Sequence, residues 1–160
     1  MHSLTIRYAV KEDLPEILQL YQQPALDNGN ALSLPAASQL FEKMQRYPQY
    51  WLFVAVLGDL IVGTFTLLVM DNILHGTPSA IVEAVAVDPT YQSQGIGSYM
   101  MRWVMTEATK AGCYKLVLSS NAKRNRAHKF YENLGFTRHG YSFYVDLVPT
   151  APPGAAAESP

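Results

Sequence analysis

The stretch 92–98 has the residue types and spacing of an anion-binding loop. It reads Gln92-Ser93-Gln94-Gly95-Ile96-Gly97-Ser98. An apolar segment ends just before it, and a helical apolar pattern begins within it. A helix start offers backbone N–H groups without intrahelical partners and the positive end of the helix dipole. We therefore expect a phosphate there, with one glycine adopting positive φ and the other admitting the phosphate close to the backbone.

The loop lacks the marks of two common nucleotide-binding motifs. A P-loop requires a lysine followed by serine or threonine after its last glycine, whereas Ser98 and Tyr99 follow Gly97. The dinucleotide fingerprint requires a third glycine, and Met100 stands at that position. A tight turn with a close helix–strand contact is the alternative to a phosphate site.

A second pattern follows, after a predicted helix and strand. It reads Ala127-His128-Lys129-Phe130-Tyr131-Glu132-Asn133-Leu134-Gly135-Phe136. Its apolar members have the spacing of one buried helix face, which alone would explain them. The two patterns together, in this order, resemble the hallmarks of the GNAT superfamily of N-acetyltransferases. The resemblance covers roughly Leu4 to Leu147 and is strongest from 81 to 136.

The resemblance implies direct transfer of an acetyl group from acetyl-coenzyme A to a primary amine, without a metal. The backbone amides of 94–98 would hold the pyrophosphate, and the backbone of Val85 and Val87 would bind the pantetheine arm as an added strand. Many members of that superfamily have an asparagine three residues before the alanine of the second pattern. In this chain Arg124 stands at that position, and Asn125 follows it. The expected cofactor contacts are Val85, Val87, Gln92, Gln94, Gly95, Ile96, Gly97, Ser98, Arg124 and Asn125.

Two residues are the catalytic candidates. The resemblance makes Tyr131 the general acid that protonates the leaving thiolate, a helpful but not indispensable role because a thiol is itself fairly acidic. Glu83 is the only charge in the strand predicted over 79–87. A carboxylate in a covered strand is costly unless paired, and desolvation favours its neutral form. Glu83 is therefore either a base or substrate anchor, or one half of an ion pair with Arg7, Arg102 or Lys115.

The sequence indicates less about the acceptor than about the coenzyme. We expect Asp27, His75 and Tyr141 to contact it, since family analogy places their loops beside it. The segment Gly112-Cys113-Tyr114-Lys115-Leu116-x-Leu118, with Glu83 before it, is similar to glucosamine-6-phosphate N-acetyltransferases. The segment Leu118-Ser119-x-Asn121-x-Lys123-Arg124 resembles aminoalkylphosphonate N-acetyltransferases. Both similarities suggest a small amine, with a phosphorylated or otherwise anionic one among the alternatives. The basic residues between 123 and 129 would then meet a phosphate of the coenzyme or substrate, or simply form a solvated helix start.

The composition indicates one ordinary globular domain. The 160 residues contain 12 lysines and arginines against 13 aspartates and glutamates, a balance that favours neither nucleic acid nor a membrane surface as partner. The single cysteine, Cys113, excludes an internal disulfide and fits a cytoplasmic location. We interpret it as a small hydrophobe rather than a nucleophile. No metal is expected, and the chain is predicted to be a monomer or homodimer.

Periodicity predicts a single α/β domain over 1–148 and a flexible Pro/Ala-rich tail over 149–160. About four helices are expected on the faces of a mixed, mostly antiparallel sheet of about seven strands. The strands are predicted at 4–9, 51–57, 60–70, 79–87, 114–119, 136–138 and 142–147.

Two other functions compete with acetylation of a small amine. A non-catalytic acyl-coenzyme A sensor would need neither Tyr131 nor Glu83, whose presence therefore favours catalysis. An acetyltransferase acting on a protein amine would need an open groove, and the sequence leaves that alternative open.

Overall fold

The computed structural model describes residues 3–145 and residue 147, apart from the side chain of Asp27. The predicted tail over 149–160 lies outside these residues. Five strands form one sheet: β1 (Leu4–Tyr8), β2 (Tyr50–Leu57), β3 (Leu60–Met70), β4 (Ser79–Val87) and β5 (Leu116–Val117). Four α-helices accompany it: α1 (Leu14–Tyr21), α2 (Leu34–Met44), α3 (Ile96–Lys110) and α4 (Asn125–Asn133). Short 3-10 turns cover Lys11–Asp13, Asp27–Gly29 and Pro89–Tyr91.

Local sequence explains how the helices begin. Pro15 and Pro35 lie in the first turns of α1 and α2, where a missing N–H costs nothing. The Ser33 hydroxyl accepts a hydrogen bond from the Ala36 amide and caps α2. Gly95 precedes α3 with φ of 87°, which confirms that one glycine of the loop adopts positive φ.

The sheet has the order β1-β2-β3-β4-β5, and its first four strands are antiparallel. β5 runs parallel to β4, but the two pair only where Ala80 and Ile81 meet Leu116 and Val117. Pairing stops there, so the carboxyl-terminal part of β4 has no strand neighbour on that side among the described residues. The sheet is therefore open beside β4.

Both faces of the sheet carry a core. Phe65, Met100 and Val104 are fully buried where α3 covers one face. On the other face, α1 and α2 bury Ile17 and Phe41 against β2. Each such side chain contributes about 1.5–3 kcal/mol when it leaves water. Helices on both faces thus fix β4 and its neighbours in place.

The prediction of four helices and a mixed sheet is confirmed, but that of about seven strands is wrong. The strand predicted at 114–119 is reduced to Leu116–Val117, and no strand forms over 136–138 or in the described part of 142–147. Tyr141 and Phe143 are instead about nine-tenths exposed. Alternating apolar residues indicate which face a strand would bury, but a strand also needs a partner edge. β5 offers only two residues of edge.

Candidate active site

A β-bulge shapes the middle of β4. Thr64 of β3 pairs with Ala86 and Thr66 pairs with Glu83, so β4 holds one more residue than β3 over this span. Ala84 has φ of 50°, a left-handed conformation that is rare for a residue with a side chain. Strained backbone of this kind is often found at functional sites. The bulge disrupts the ladder on β4 where the sheet is also open.

A small cavity of about 100 Å³, the slot, lies beside this bulge. Glu83, Ala84 and Val85 form one wall, and Leu118 and Ser119, just after β5, form another. Arg124, just before α4, and Tyr131, in its last turn, complete the slot. After β5 the chain moves away from β4 and leaves a gap. The Tyr131 phenol and the Arg124 guanidinium line this gap.

Tyr131 is held in the slot by aromatic neighbours. Its ring makes edge contacts with Phe130 and Phe136, at centroid distances of 5.1 and 5.7 Å. Burial raises the pKa of the Tyr131 phenol above its ordinary value, while the positive charge of Arg124 opposes this rise. The phenol is therefore a protonated donor at neutral pH, as a general acid must be.

The sequence predicted a buried Glu83, but the structure shows this side chain exposed. It lies in the middle of β4 but is exposed, because the bulge and the missing neighbour strand open that part of the sheet. The alternative of an ion pair with Arg7 fails, since Arg7 pairs with Asp13. No salt bridge to Glu83 occurs among the described residues. Its backbone carbonyl accepts a hydrogen bond of 3.2 Å from the Thr66 hydroxyl.

A larger cavity of about 440 Å³ borders the slot at Glu83 and Ala84, which line both spaces, as does Leu26. We call it the acceptor cavity. Its walls come from α1, from α2 and from the loop between them, and its floor comes from β2, β3 and β4. Tyr21 of α1 lines it, and burial raises the pKa of that phenol to about 12, although the Thr64 hydroxyl opposes the rise. The two cavities therefore meet at one carboxylate.

The loop before α3 presents free amides. No side chain caps the start of α3, so the amides of its first turn have no partner within the helix. The Gln94 side chain donates to the Thr90 carbonyl at 3.0 Å and folds back along the turn. This geometry suits an anion such as the pyrophosphate that the sequence predicts.

Gly97 packs closely against a ring of another helix. A Cβ at this position would lie 3.3 Å from Cζ of Phe130 and 3.8 Å from Cγ2 of Val87. The missing side chain therefore makes room for the Phe130 ring. Gly95, in contrast, has no atom within 4 Å of its would-be Cβ, and its positive φ is what requires glycine.

The carbonyl of Val87 is already occupied. Gln92 and Gln23 each donate a side-chain amide to it at 3.1 Å, and the two amides also bond to each other at 3.2 Å. A pantetheine N–H that approached this carbonyl would compete with them. Sequence reasoning missed Gln23, which lies just after α1 and carries no motif.

Arg126 is a second residue that was not assigned to the site. Its Nη2 donates to the Ser93 hydroxyl at 2.8 Å, so α4 places a guanidinium against the loop before α3. Arg126 belongs to the basic residues between 123 and 129. That cluster of positive charge was the sequence signal that could have identified it as a site residue. Arg124 lines the slot, whereas Asn125 is exposed and lines neither cavity.

The predicted acceptor contacts are not brought together. His75 lines neither cavity and stacks on Tyr114 with ring centroids 4.3 Å apart. Tyr141 also lines neither and is 92% exposed. The side chain of Asp27 lies outside what the structure describes. Glu83, a predicted site residue, does line the acceptor cavity, whereas its lining residues on α1, α2, β2 and β3 were predicted only as ordinary helix and strand positions.

Other chemistries find little support in the described part of the chain. Cys113 is partly buried against the core, and burial raises the pKa of its thiol, as expected of a small hydrophobe. No group of three or more metal-ligating side chains occurs in the described ranges. Within them, too, no helix has the length and apolarity needed to cross a bilayer.

Comparison with known proteins finds N-acetyltransferases among those that this chain resembles. The chain is 33% identical to a glucosamine 6-phosphate N-acetyltransferase of Trypanosoma brucei brucei over 54% of its length, an alignment that spans 58% of that relative. It is 27% identical to an aminoalkylphosphonate N-acetyltransferase of Salmonella typhimurium, over 86% of this chain and 88% of that one.

A solved structure of a Trypanosoma brucei acetyltransferase superposes with a TM-score of 0.76 at 27% identity, covering 91% of this chain and all of that one. The family model described as the acetyltransferase (GNAT) family matches residues 14–136, which include the bulge, the loop before α3 and Tyr131. The chain therefore belongs to the acetyltransferase (GNAT) family.

Proposed function

We propose that this protein transfers an acetyl group from acetyl-coenzyme A to the primary amine of a small molecule. The observation that carries the proposal is the boundary at Glu83 and Ala84, two residues that line both the slot with Tyr131 and the acceptor cavity. A thioester in the slot and an amine in the cavity would meet at that point. A cytoplasmic location, favoured by the single cysteine, is part of the proposal.

The coenzyme would bind along the open side of β4. The amides of 94–98 would hold its pyrophosphate, and Arg126 would add a positive charge beside Ser93. Its pantetheine arm would lie against Val85 and Val87 and displace the two glutamine amides from the Val87 carbonyl. Arg124, which lines the slot, would lie beside the pantetheine arm.

The reaction would proceed by direct attack of the amine. The nitrogen lone pair attacks the thioester carbonyl carbon, the C–N bond forms, and the C–S bond breaks with its electron pair on sulfur. Tyr131 donates its phenolic proton to that sulfur. Glu83 accepts, through a water, the proton that the nitrogen loses, and both side chains then return to their starting states by exchange with solvent.

A phosphorylated or phosphonate-bearing amine is one possible class of acceptor. The names of the Trypanosoma and Salmonella relatives state such substrates. The competing functions are a non-catalytic acyl-coenzyme A sensor and an acetyltransferase of protein amines. Tyr131, buried and protonated in the slot, favours catalysis over sensing, because binding alone does not need it.

The test is release of the coenzyme thiol from acetyl-coenzyme A with a panel of small amines, followed by mass spectrometry of the products. We expect thiol release that depends on an amine, together with a product heavier by one acetyl group. Saturable acetyl-coenzyme A binding without thiol release on any amine would instead support the sensor.

A further inference from the structure

The acceptor cavity is almost entirely apolar. Most of its lining residues are aliphatic or aromatic, among them Leu14, Ile17, Leu18, Leu40, Phe41 and Met44. The polar side chains of its wall are few: Tyr21, Asn30, Tyr50, Thr66 and Glu83. A small ligand in such a space gains affinity mainly by leaving water.

Among the side chains that the structure describes, charge in the cavity is confined to one place and has one sign. Among the described side chains that line it, none is lysine, arginine or histidine, and Glu83 is the single acidic one. A phosphate or carboxylate held there would lose hydration, find no cationic partner in the wall, and face a like charge. A protonated amine, in contrast, would be attracted to Glu83.

The basic residues of the chain that could meet a phosphate lie elsewhere. Arg124 lines the slot and not the acceptor cavity, and Arg126 contacts Ser93 in the loop before α3. Both are therefore on the side where the coenzyme would bind. Neither arginine lines the acceptor cavity, so neither is placed there to pair with an anionic acceptor.

From this arrangement we propose that the acceptor is a primary amine with an uncharged, apolar body, of the arylalkyl or branched alkyl class. The body fills the space between α1 and α2, and the amine lies at Glu83 beside the slot. This inference rests on the proposed function and narrows it. It separates this chain from relatives whose names state phosphate- or phosphonate-bearing substrates.

The experiment compares kcat/KM for four kinds of acceptor at saturating acetyl-coenzyme A. These are 2-phenylethylamine and 3-methylbutylamine, glucosamine 6-phosphate, 2-aminoethylphosphonate, and a short peptide with an N-terminal leucine. We expect the apolar amines to exceed both anionic amines by at least about 100-fold, because an unpaired buried charge costs several kcal/mol.

A matched pair of variants tests the location of the apolar body. Leu40 and Leu34 are both on α2 and almost equally exposed, at 46% and 45%, but only Leu40 lines the cavity. We expect Leu40→Gln to raise KM for 2-phenylethylamine about tenfold, since it removes apolar contact with the ligand. Leu34→Gln should leave KM unchanged.

The outcomes separate this inference from the proposed function. Preferred turnover of glucosamine 6-phosphate or 2-aminoethylphosphonate would overturn the apolar acceptor and leave acetyl transfer intact. Acetylation of the peptide but of no free amine would overturn the inference too, and with it the small-molecule part of the proposed function. Thiol release with none of the acceptors, despite coenzyme binding, would overturn the proposed function itself. Equal KM values for Leu40→Gln and Leu34→Gln would overturn the placement of the body.

Discussion

Gly97 and Phe130 meet where the start of α3 packs against α4. A Cβ on Gly97 would lie 3.3 Å from the tip of the Phe130 ring, closer than an unstrained contact. Phe130 in turn touches Tyr131 edge-on. The two patterns of the sequence are therefore joined by one packing contact, which couples the loop before α3 to the phenol in the slot.

This contact predicts the effect of a single methyl group. Gly97→Ala should lower the free energy of unfolding by about 1–2 kcal/mol, because the Phe130 ring must move away. It should also lower kcat, since Tyr131 moves with its neighbour. Denaturant unfolding and steady-state kinetics measure the two effects. The double variant Gly97→Ala/Phe130→Leu should recover part of the lost stability; additive losses would contradict the packing role.

Tyr131→Phe should lower kcat about 10- to 100-fold while leaving the dissociation constant for acetyl-coenzyme A nearly unchanged. It removes the proton donor and keeps the ring in place. Tyr114→Phe is the matched control, because Tyr114 is exposed and lines neither cavity. Kinetics for 2-phenylethylamine and calorimetric binding of the coenzyme measure both quantities. A silent Tyr131→Phe would show that the thiolate leaves unassisted.

The pH dependence of turnover offers a separate check on the same residue. Because burial raises the pKa of Tyr131, its phenol stays protonated up to and beyond its ordinary titration near pH 10. Wild-type kcat should therefore show no loss from Tyr131 between pH 7 and about pH 10. A fall of kcat in that range that Tyr131→Phe abolishes would mean that the phenol ionises early, contrary to its burial.

Arg126→Gln should weaken acetyl-coenzyme A binding about tenfold, the effect of losing one partly exposed charge near a phosphate. The variant keeps a polar side chain that can still reach Ser93. Arg102→Gln, an exposed arginine of α3 that lines neither cavity, is the control and should bind as the wild type does. Titration calorimetry measures both. Equal affinities for the two variants would remove Arg126 from the coenzyme site.

The Arg7–Asp13 pair should make the free energy of unfolding depend on pH in the acidic range. Arg7 donates two hydrogen bonds to Asp13, of 2.6 and 2.9 Å, and the Val10 amide donates a third of 2.8 Å. The Arg7 bond lowers the pKa of Asp13, as does the Val10 amide, against the opposing effect of burial. The folded protein therefore holds the charged form, a stabilisation present above about pH 4 and lost as the pH falls below it.

Asp13→Asn should lower the free energy of unfolding by about 1 kcal/mol at pH 7 and by less at pH 3. The figure is modest because Arg7 is half exposed. Glu42→Gln, which removes an exposed partner of Lys11, is the control and should change stability little at either pH. An Asp13→Asn loss that is equal at pH 7 and pH 3 would rule out the charge as its cause.

The loop before α3 and the position of Tyr131 could be predicted because their signals are local. A glycine with positive φ, a helix start and the i, i+3, i+4 face of α4 are all encoded within a few neighbouring residues, and the observed Gly95 and Tyr131 agree with them. The role of Gly97 was not readable, because the Phe130 ring that fills its space comes from another helix.

The acceptor side could not be predicted because it depends on long-range geometry. Glu83 is exposed only because of the bulge at Ala84 and the early end of β5, and neither is visible in an apolar strand pattern. The acceptor cavity forms between α1 and α2, whose sequence shows an ordinary apolar face. A residue that lines a cavity and one that fills a core have the same periodicity.

The measurement that tests the central claim most directly is a crystal structure with acetyl-coenzyme A bound. The account predicts the pyrophosphate on the amides of 94–98, glutamine side chains displaced from the Val87 carbonyl, and the thioester in the slot between Ala84 and Tyr131. A coenzyme bound elsewhere, with the loop before α3 empty or closed by side chains, would contradict it.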